Sequence, residues 1–272
     1  MMDQLAWTDT GGDGPVLLLI HAGGFADWLV PLAAEPALDG LRVIRLTRAG
    51  YTGVEPPPGL TVADHAGHAA ALLRHLGAVP AHVVAHSSGT TIALQLAFDH
   101  PDLVSGLTLS EPPLVDTLVD PVDLGFLHAT IGPAIGAAMG AMAHGDRPGA
   151  FGAFMTAVCG PEYREVMTRV LGAEGLSHAE RDCGYFFTAE LPAVAGWTLD
   201  PAIAGRLAKP VLLIEGGRSP APTHRLVARL AGLFPQATTA TVENANHLLP
   251  LTAPAELADL IAAGLRVTTH RS

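Results

Sequence analysis

The chain has 272 residues, 49% of them hydrophobic and 15% charged, with 15 Lys and Arg against 26 Asp and Glu and a formal net charge of −11. That size and apolar content suit one compact domain with a substantial core, or a core carrying an insertion. The acidic balance, with Lys209 as the single lysine, excludes a nucleic-acid surface, which needs clustered cations to meet phosphates.

In chain order, Met1-Met2-Asp3-Gln4-Leu5 lacks the basic start and apolar run of a signal peptide, and no stretch of ~20 apolar residues stands out as a membrane span, so a cytoplasmic protein is expected. Val16–Ile20 is a continuous apolar run suited to a buried parallel strand, and it ends in His21-Ala22-Gly23-Gly24. Gly11-Gly12-Asp13-Gly14 comes before that strand, the wrong side for a dinucleotide-binding turn. A helix is expected over Trp28–Leu38, a strand over Leu41–Leu46 and a longer amphipathic helix over Val62–Leu76, with Pro56-Pro57-Pro58-Gly59 as loop. The run Ala81–His86 reads as a strand, and a helix follows from Ser88 to about Phe98. Leu107–Ser110 is the next strand, stopped by Glu111-Pro112-Pro113. From 114 to 205 no strand is convincing, and Phe151–Val158 and Glu162–Leu171 have helical spacing. Lys209–Ile214 and Thr238–Val242 read as the last two strands. Alternating β and α of this kind predicts an α/β fold with a mostly parallel central sheet flanked by helices.

The most informative stretch is Ala85-His86-Ser87-Ser88-Gly89, where a strand meets a helix at a serine. A nucleophile elbow strains the backbone at its serine, so the positions two before and two after must be small. Ala85 and Gly89 meet that condition, with alanine where glycine is usual. His247 stands in the loop after the last strand.

These motifs resemble the α/β-hydrolase family over almost the whole chain. The resemblance implies that His21-Ala22-Gly23-Gly24 is an oxyanion loop, with the N–H groups of Gly23 and Ser88 holding a developing oxyanion. It implies that Ser87 is the nucleophile and His247 the general base. It also implies that 1–113 and 206–272 form the hydrolase core and that 114–205 is a helical cap over the site. Within that interval Met139, Met142, Phe151, Phe154, Met155, Tyr185, Phe186 and Phe187 either line an apolar pocket or pack the cap helices together.

The acid departs from the commonest pattern. In many relatives the aspartate falls where Ser219 stands here, and a serine has no charge with which to stabilise an imidazolium. Glu111, at the end of the strand after the elbow helix, matches an alternative location used by some α/β-hydrolases; Glu215 is the second candidate. His86 adjoins the nucleophile, but successive strand residues point to opposite faces, so it is not expected to be the base. His21 is expected to anchor the oxyanion loop. His65 and His68, three apart on a helix, lack a carboxylate or cysteine partner, so no metal and no cofactor are expected. Cys159 and Cys183 are too few for a disulfide framework and read as free buried thiols. The expectation is a serine esterase acting on an ester, thioester or lactone of a mainly apolar small molecule, with no nucleic-acid or membrane partner. Carbon–carbon bond hydrolysis, a lyase or cyclase reaction, and non-catalytic small-molecule binding are the alternatives on the same fold.

Overall fold

The computed structural model describes residues 2–114, 117 and 120–269. Seven strands form one sheet: β1 (Ala6–Asp9), β2 (Val16–Ile20), β3 (Arg42–Thr47), β4 (Ala81–His86), β5 (Val104–Ser110), β6 (Val211–Gly216) and β7 (Ala237–Val242). Their order is β1-β3-β2-β4-β5-β6-β7; β1 runs antiparallel to β3 and every other pairing is parallel. The principal helices are α1 (Val62–His75), α2 (Gly89–Asp99), α3 (Pro121–Ala143), α4 (Arg147–Cys159), α5 (Tyr163–Tyr185), α6 (Ala221–Ala231) and α7 (Pro254–Thr269).

The apolar run of β2 shows why the central strands read as unbroken hydrophobic stretches. Leu18 and Ile20 enter one core cluster, with residues of α1, α2 and α6. Leu17 and Leu19 enter the other, with α7 and the helical insert. A strand covered on both faces has no solvent side to mark with polar residues. All six residues of β4 are buried, and this strand delivers Ser87 at the middle of the sheet.

α1 begins at a capping box in which the Thr61 hydroxyl accepts from the Asp64 N–H and the Asp64 carboxylate accepts from the Thr61 N–H, as its sharp start requires. The helix expected over Trp28–Leu38 breaks into a 3₁₀ turn at Asp27–Leu29, one α-turn at Val30–Ala33 and a second 3₁₀ turn at Pro36–Leu38. Pro36 forbids a continuous ladder there. The expected helix at Glu162–Leu171 is the first part of α5, which is interrupted at Gly172, where φ is +77°.

Between β5 and β6 every regular element among the described residues is helical, so the α/β core carries a helical insert of the kind a cap requires. α3, within it, corrects the sequence reading in one respect. This 23-residue helix is long and apolar enough by length and composition to cross a membrane, yet only 6% of its apolar stretch is buried. Its Ala, Gly and Met residues are spread around the helix, so no apolar face marks it in the sequence. Its first turn is tied to the core by Arg225, whose Nε donates to Asp123 Oδ2 at 2.6 Å.

Candidate active site

Ser87 sits at the end of β4 with φ +48°, and Glu111 at the end of the neighbouring β5 with φ +50°. They are the two non-glycine residues with positive φ among the described residues. Such backbone strain persists only where the surroundings over-determine it. Ser87 N–H donates to Ser110 O (2.9 Å), and Thr90 donates to Ser87 O from both its N–H (2.9 Å) and its hydroxyl (2.6 Å). Glu111 N–H donates to Ile214 O at 2.9 Å. Gly89 has to be glycine: a Cβ there would lie 2.6 Å from His21 O and 2.7 Å from Ile20 O. The elbow helix therefore starts in direct contact with the end of β2.

The Glu111 carboxylate is 4% exposed and fully engaged. Its Oε1 accepts from Gly216 N–H (2.8 Å) and from the Ser219 hydroxyl (2.8 Å). Its Oε2 accepts from His247 Nδ1 (3.2 Å), and that bond fixes the proton on Nδ1. Burial pushes this carboxyl up, but His247 and the two donors outweigh burial and hold it below the usual carboxylate range. Ser219, the position considered from sequence for the acid, is a hydrogen-bond donor to the Glu111 carboxylate. Glu215 points elsewhere, 3.1 Å from His224.

His247 is ringed by aromatic groups: its centroid is 4.7 Å from His86 and 6.2 Å from Trp28. His86 thus packs against the His247 ring, closer than its strand position suggested. It makes no bond to Ser87; its Nδ1 is 3.3 Å from Ser110 O and Oγ.

The expected oxyanion loop lies against the elbow. A Cβ on Gly23 would come 3.2 Å from Ser88 Oγ and 2.4 Å from the Phe186 ring of the helical insert. Neither Gly23 N–H nor Ser88 N–H donates to an acceptor among the described residues. His21 anchors the loop through its ring: Nε2 accepts from Arg48 N–H (3.2 Å), so Nδ1 carries the proton and donates to Ala22 O (2.6 Å). Trp28 Nε1–H donates to Gly23 O at 2.9 Å.

Sequence reasoning missed a buried polar group beside this loop. Glu190, from a π-helical turn at Phe186–Glu190, meets Arg48, Tyr51 and Ser88. Glu190 is 142 residues from Arg48 and 102 from Ser88, so no local motif reveals it. Burial pushes the Glu190 carboxyl up, but Arg48 and the Ser88 and Tyr51 hydroxyls reverse this and hold it low. Of the insert residues named from sequence, Phe151, Met155 and Phe187 are buried in packing, Met139 is 42% exposed, and Phe186 covers Gly23. The Phe154 ring meets Phe186 at 4.9 Å, tilted by 58°. Met142 and Tyr185 line a cavity of about 330 Å³ together with Arg147 and Arg181, a polar setting and not an apolar pocket.

Four buried histidines give the fold a pH dependence. Burial holds His65 at about 3, with the Arg48 charge adding to the effect, and holds His82 at about 4. Burial first, then the charges of Arg48 and His247 respectively, pushes His21 and His86 well below the ordinary value. Unfolded histidine titrates near ~6.5, so below that pH the unfolded chain binds protons that the folded chain refuses. Stability is therefore complete above about pH 7 and falls as pH drops through ~6.5. Below ~4.5 the depressed carboxyls Asp9, Glu111 and Glu190 add to the loss. Thermal melts between pH 8 and 4 are expected to show this decline; a midpoint unchanged from pH 7 to pH 5 would contradict it. No group of three or more His, Cys, Asp or Glu among the described residues is arranged to hold a metal ion.

An α/β sheet with a strained serine at a strand–helix elbow, and a histidine hydrogen-bonded to a carboxylate on neighbouring loops, defines the class of protein. A family model described as alpha/beta hydrolase matches residues 17–260, and the chain belongs to that family. The magnesium-chelatase 30 kDa subunit of Rhodobacter capsulatus is 30% identical over 263 residues, covering 89% of this chain and 84% of that protein. The dihydrolipoyllysine-residue acetyltransferase component of the acetoin cleaving system of Cupriavidus necator is 36% identical over 112 residues, 40% of this chain; the match spans only 29% of that protein. Among solved structures, an alpha/beta hydrolase from Sphaerobacter thermophilus aligns with TM-score 0.70 and 26% identity over 96% of both chains. The enol-lactonase of Burkholderia xenovorans aligns with TM-score 0.75 at 20% identity over 96% of both chains, a likeness of fold.

Proposed function

We propose that this chain is a serine hydrolase that transfers an acyl group from a mainly apolar small-molecule ester, thioester or lactone to water, with the helical insert as a cap over its site. The observation that carries the reading is the Glu111–His247 pair beside the strained Ser87, on the loops that end β4, β5 and β7. In this reading Ser87 Oγ attacks the substrate carbonyl and His247 Nε2 takes its proton. Glu111 holds the Nδ1–H tautomer and stabilises the imidazolium. The free N–H groups of Gly23 and Ser88 receive the oxyanion, which has no other acceptor to displace from them. His247 then protonates the leaving group, takes a proton from water, and directs the hydroxide at the acyl-enzyme. Product acid leaves and Ser87 regains its proton.

The walls support an apolar acyl group. Trp28 stacks on Phe25 at 4.4 Å and lies edge-on to His247, while Phe186 closes over Gly23. A structure described as a thermophilic esterase from Thermogutta terrifontis shares this fold, with TM-score 0.71 at 21% identity.

A substrate panel tests the assignment: p-nitrophenyl esters of increasing chain length, an acyl thioester, a lactone and a diketone. Hydrolysis of the acyl compounds, with a burst of p-nitrophenol matching the protein concentration, is expected. Cleavage of the diketone alone would replace acyl transfer by carbon–carbon hydrolysis. No turnover by folded protein that still binds the compounds would make it a binding protein.

A further inference from the structure

Glu190 comes from the helical insert, yet its bonds converge on the elbow and the oxyanion loop. The Ser88 hydroxyl donates to Glu190 Oε1 at 2.6 Å, and Arg48 Nη2 donates to the same oxygen at 2.8 Å. The Tyr51 hydroxyl donates to Oε2, and its oxygen accepts from Gly24 N–H at 3.1 Å. Arg48 Nη2 also donates to Ala22 O at 3.1 Å. One carboxylate therefore ties Ser88 directly, and residues 22 and 24 through one intermediate each. The Arg48 and Glu190 side chains are each 1% exposed.

A buried ion pair is weak grounds for a stabilising role, because desolvation cancels much of its attraction. The placement of this one says more. A π-turn adds a residue to the helix and shifts the phase of the turns beyond it, and such turns recur at functional sites. Here it lets Phe186 land on Gly23 and Glu190 land on Ser88, the two owners of the free N–H groups. A lone carboxylate near a developing oxyanion would oppose it, and Arg48 on the same oxygen neutralises that charge.

Resting on the assignment of Gly23 and Ser88 to the oxyanion site, we propose that Glu190 is a positioning residue that aims the oxyanion donors through Ser88, so that the site is complete only when the cap is docked.

The test is a double-mutant cycle of Ser88→Ala and Glu190→Gln. It reads kcat and KM for p-nitrophenyl acetate and the rate of Ser87 phosphonylation by a fluorophosphonate, with thermal melts as a folding control. Each single variant is expected to lose about 10- to 100-fold in kcat and in phosphonylation, less than deleting an oxyanion donor outright, with KM within about threefold. The double variant is expected to be no worse than the poorer single one, since both weaken the same link: Ser88→Ala removes the donor, and Glu190→Gln removes the charge that holds it. Multiplicative losses, a change confined to KM, or unchanged kcat would each overturn the proposal. If Glu190→Gln fails to fold, Ser88→Ala decides alone, because it leaves the Arg48–Glu190 pair in place; wild-type kcat in that variant overturns it. Wild-type protein that phosphonylates at Ser87 while the variants match it refutes this inference only. Wild-type protein that does not react at all refutes the hydrolase reading, and this inference with it.

Discussion

Replacing Ser87 with alanine is expected to abolish turnover and leave the fold intact. The side chain is partly exposed at the elbow and its hydroxyl carries none of the contacts that hold the turn; those run through the Ser87 N–H and carbonyl, which alanine keeps. No cavity of consequence is created. Loss of a nucleophile in a working serine triad costs ~10⁴- to 10⁶-fold in rate. Steady-state kinetics alongside a melting curve measures both halves of this expectation. A variant keeping more than about a tenth of the activity would be inconsistent with covalent catalysis at Ser87.

Glu111→Gln is expected to cut the rate by roughly 10²- to 10⁴-fold. Glutamine can still accept from Gly216 N–H and Ser219 with its one oxygen. Its NH₂ group then faces His247 Nδ1–H, donor against donor. The imidazole must either break the contact or change tautomer, and a changed tautomer puts the proton on the nitrogen that should receive one from Ser87. Glu215→Gln, which disturbs contacts with His224 and Thr241 and none with His247, is expected to stay within a few-fold of wild type. Adding Ser219→Asp to Glu111→Gln is expected to recover part of the loss, since the Ser219 hydroxyl already sits 2.8 Å from Glu111 Oε1 and an aspartate there restores an anion beside the base. Equal effects of Glu111→Gln and Glu215→Gln would remove Glu111 from the role.

Much of this architecture is local and therefore readable from sequence. The buried strands announce themselves because Leu17 to Ile20 and Ala81 to Ala85 face core on both sides. The elbow is readable because Gly89 must pass under two carbonyl oxygens. Glu111 is readable because a strand-end carboxylate followed by two prolines stands out once Ser219 is seen to lack a charge. Other features lack a local signature. The edge strand β1 is four residues of mixed polarity, with no run to betray it. α3 is apolar without a face, so neither its length nor its exposure is marked. The Arg48–Glu190–Ser88 group is assembled from three distant segments, and its one advance sign is a charged residue, Arg48, placed at the end of a buried strand. Contacts of that sequence separation exist only in the folded chain.

The central claim is that Ser87 is an activated nucleophile, and its reaction with a fluorophosphonate followed by peptide mass spectrometry tests that claim most directly. Folded wild-type protein is expected to take up one label per chain, on the peptide containing Ser87, with no label on Ser87→Ala. Folded protein that takes no label, or carries it on another residue, would contradict the account.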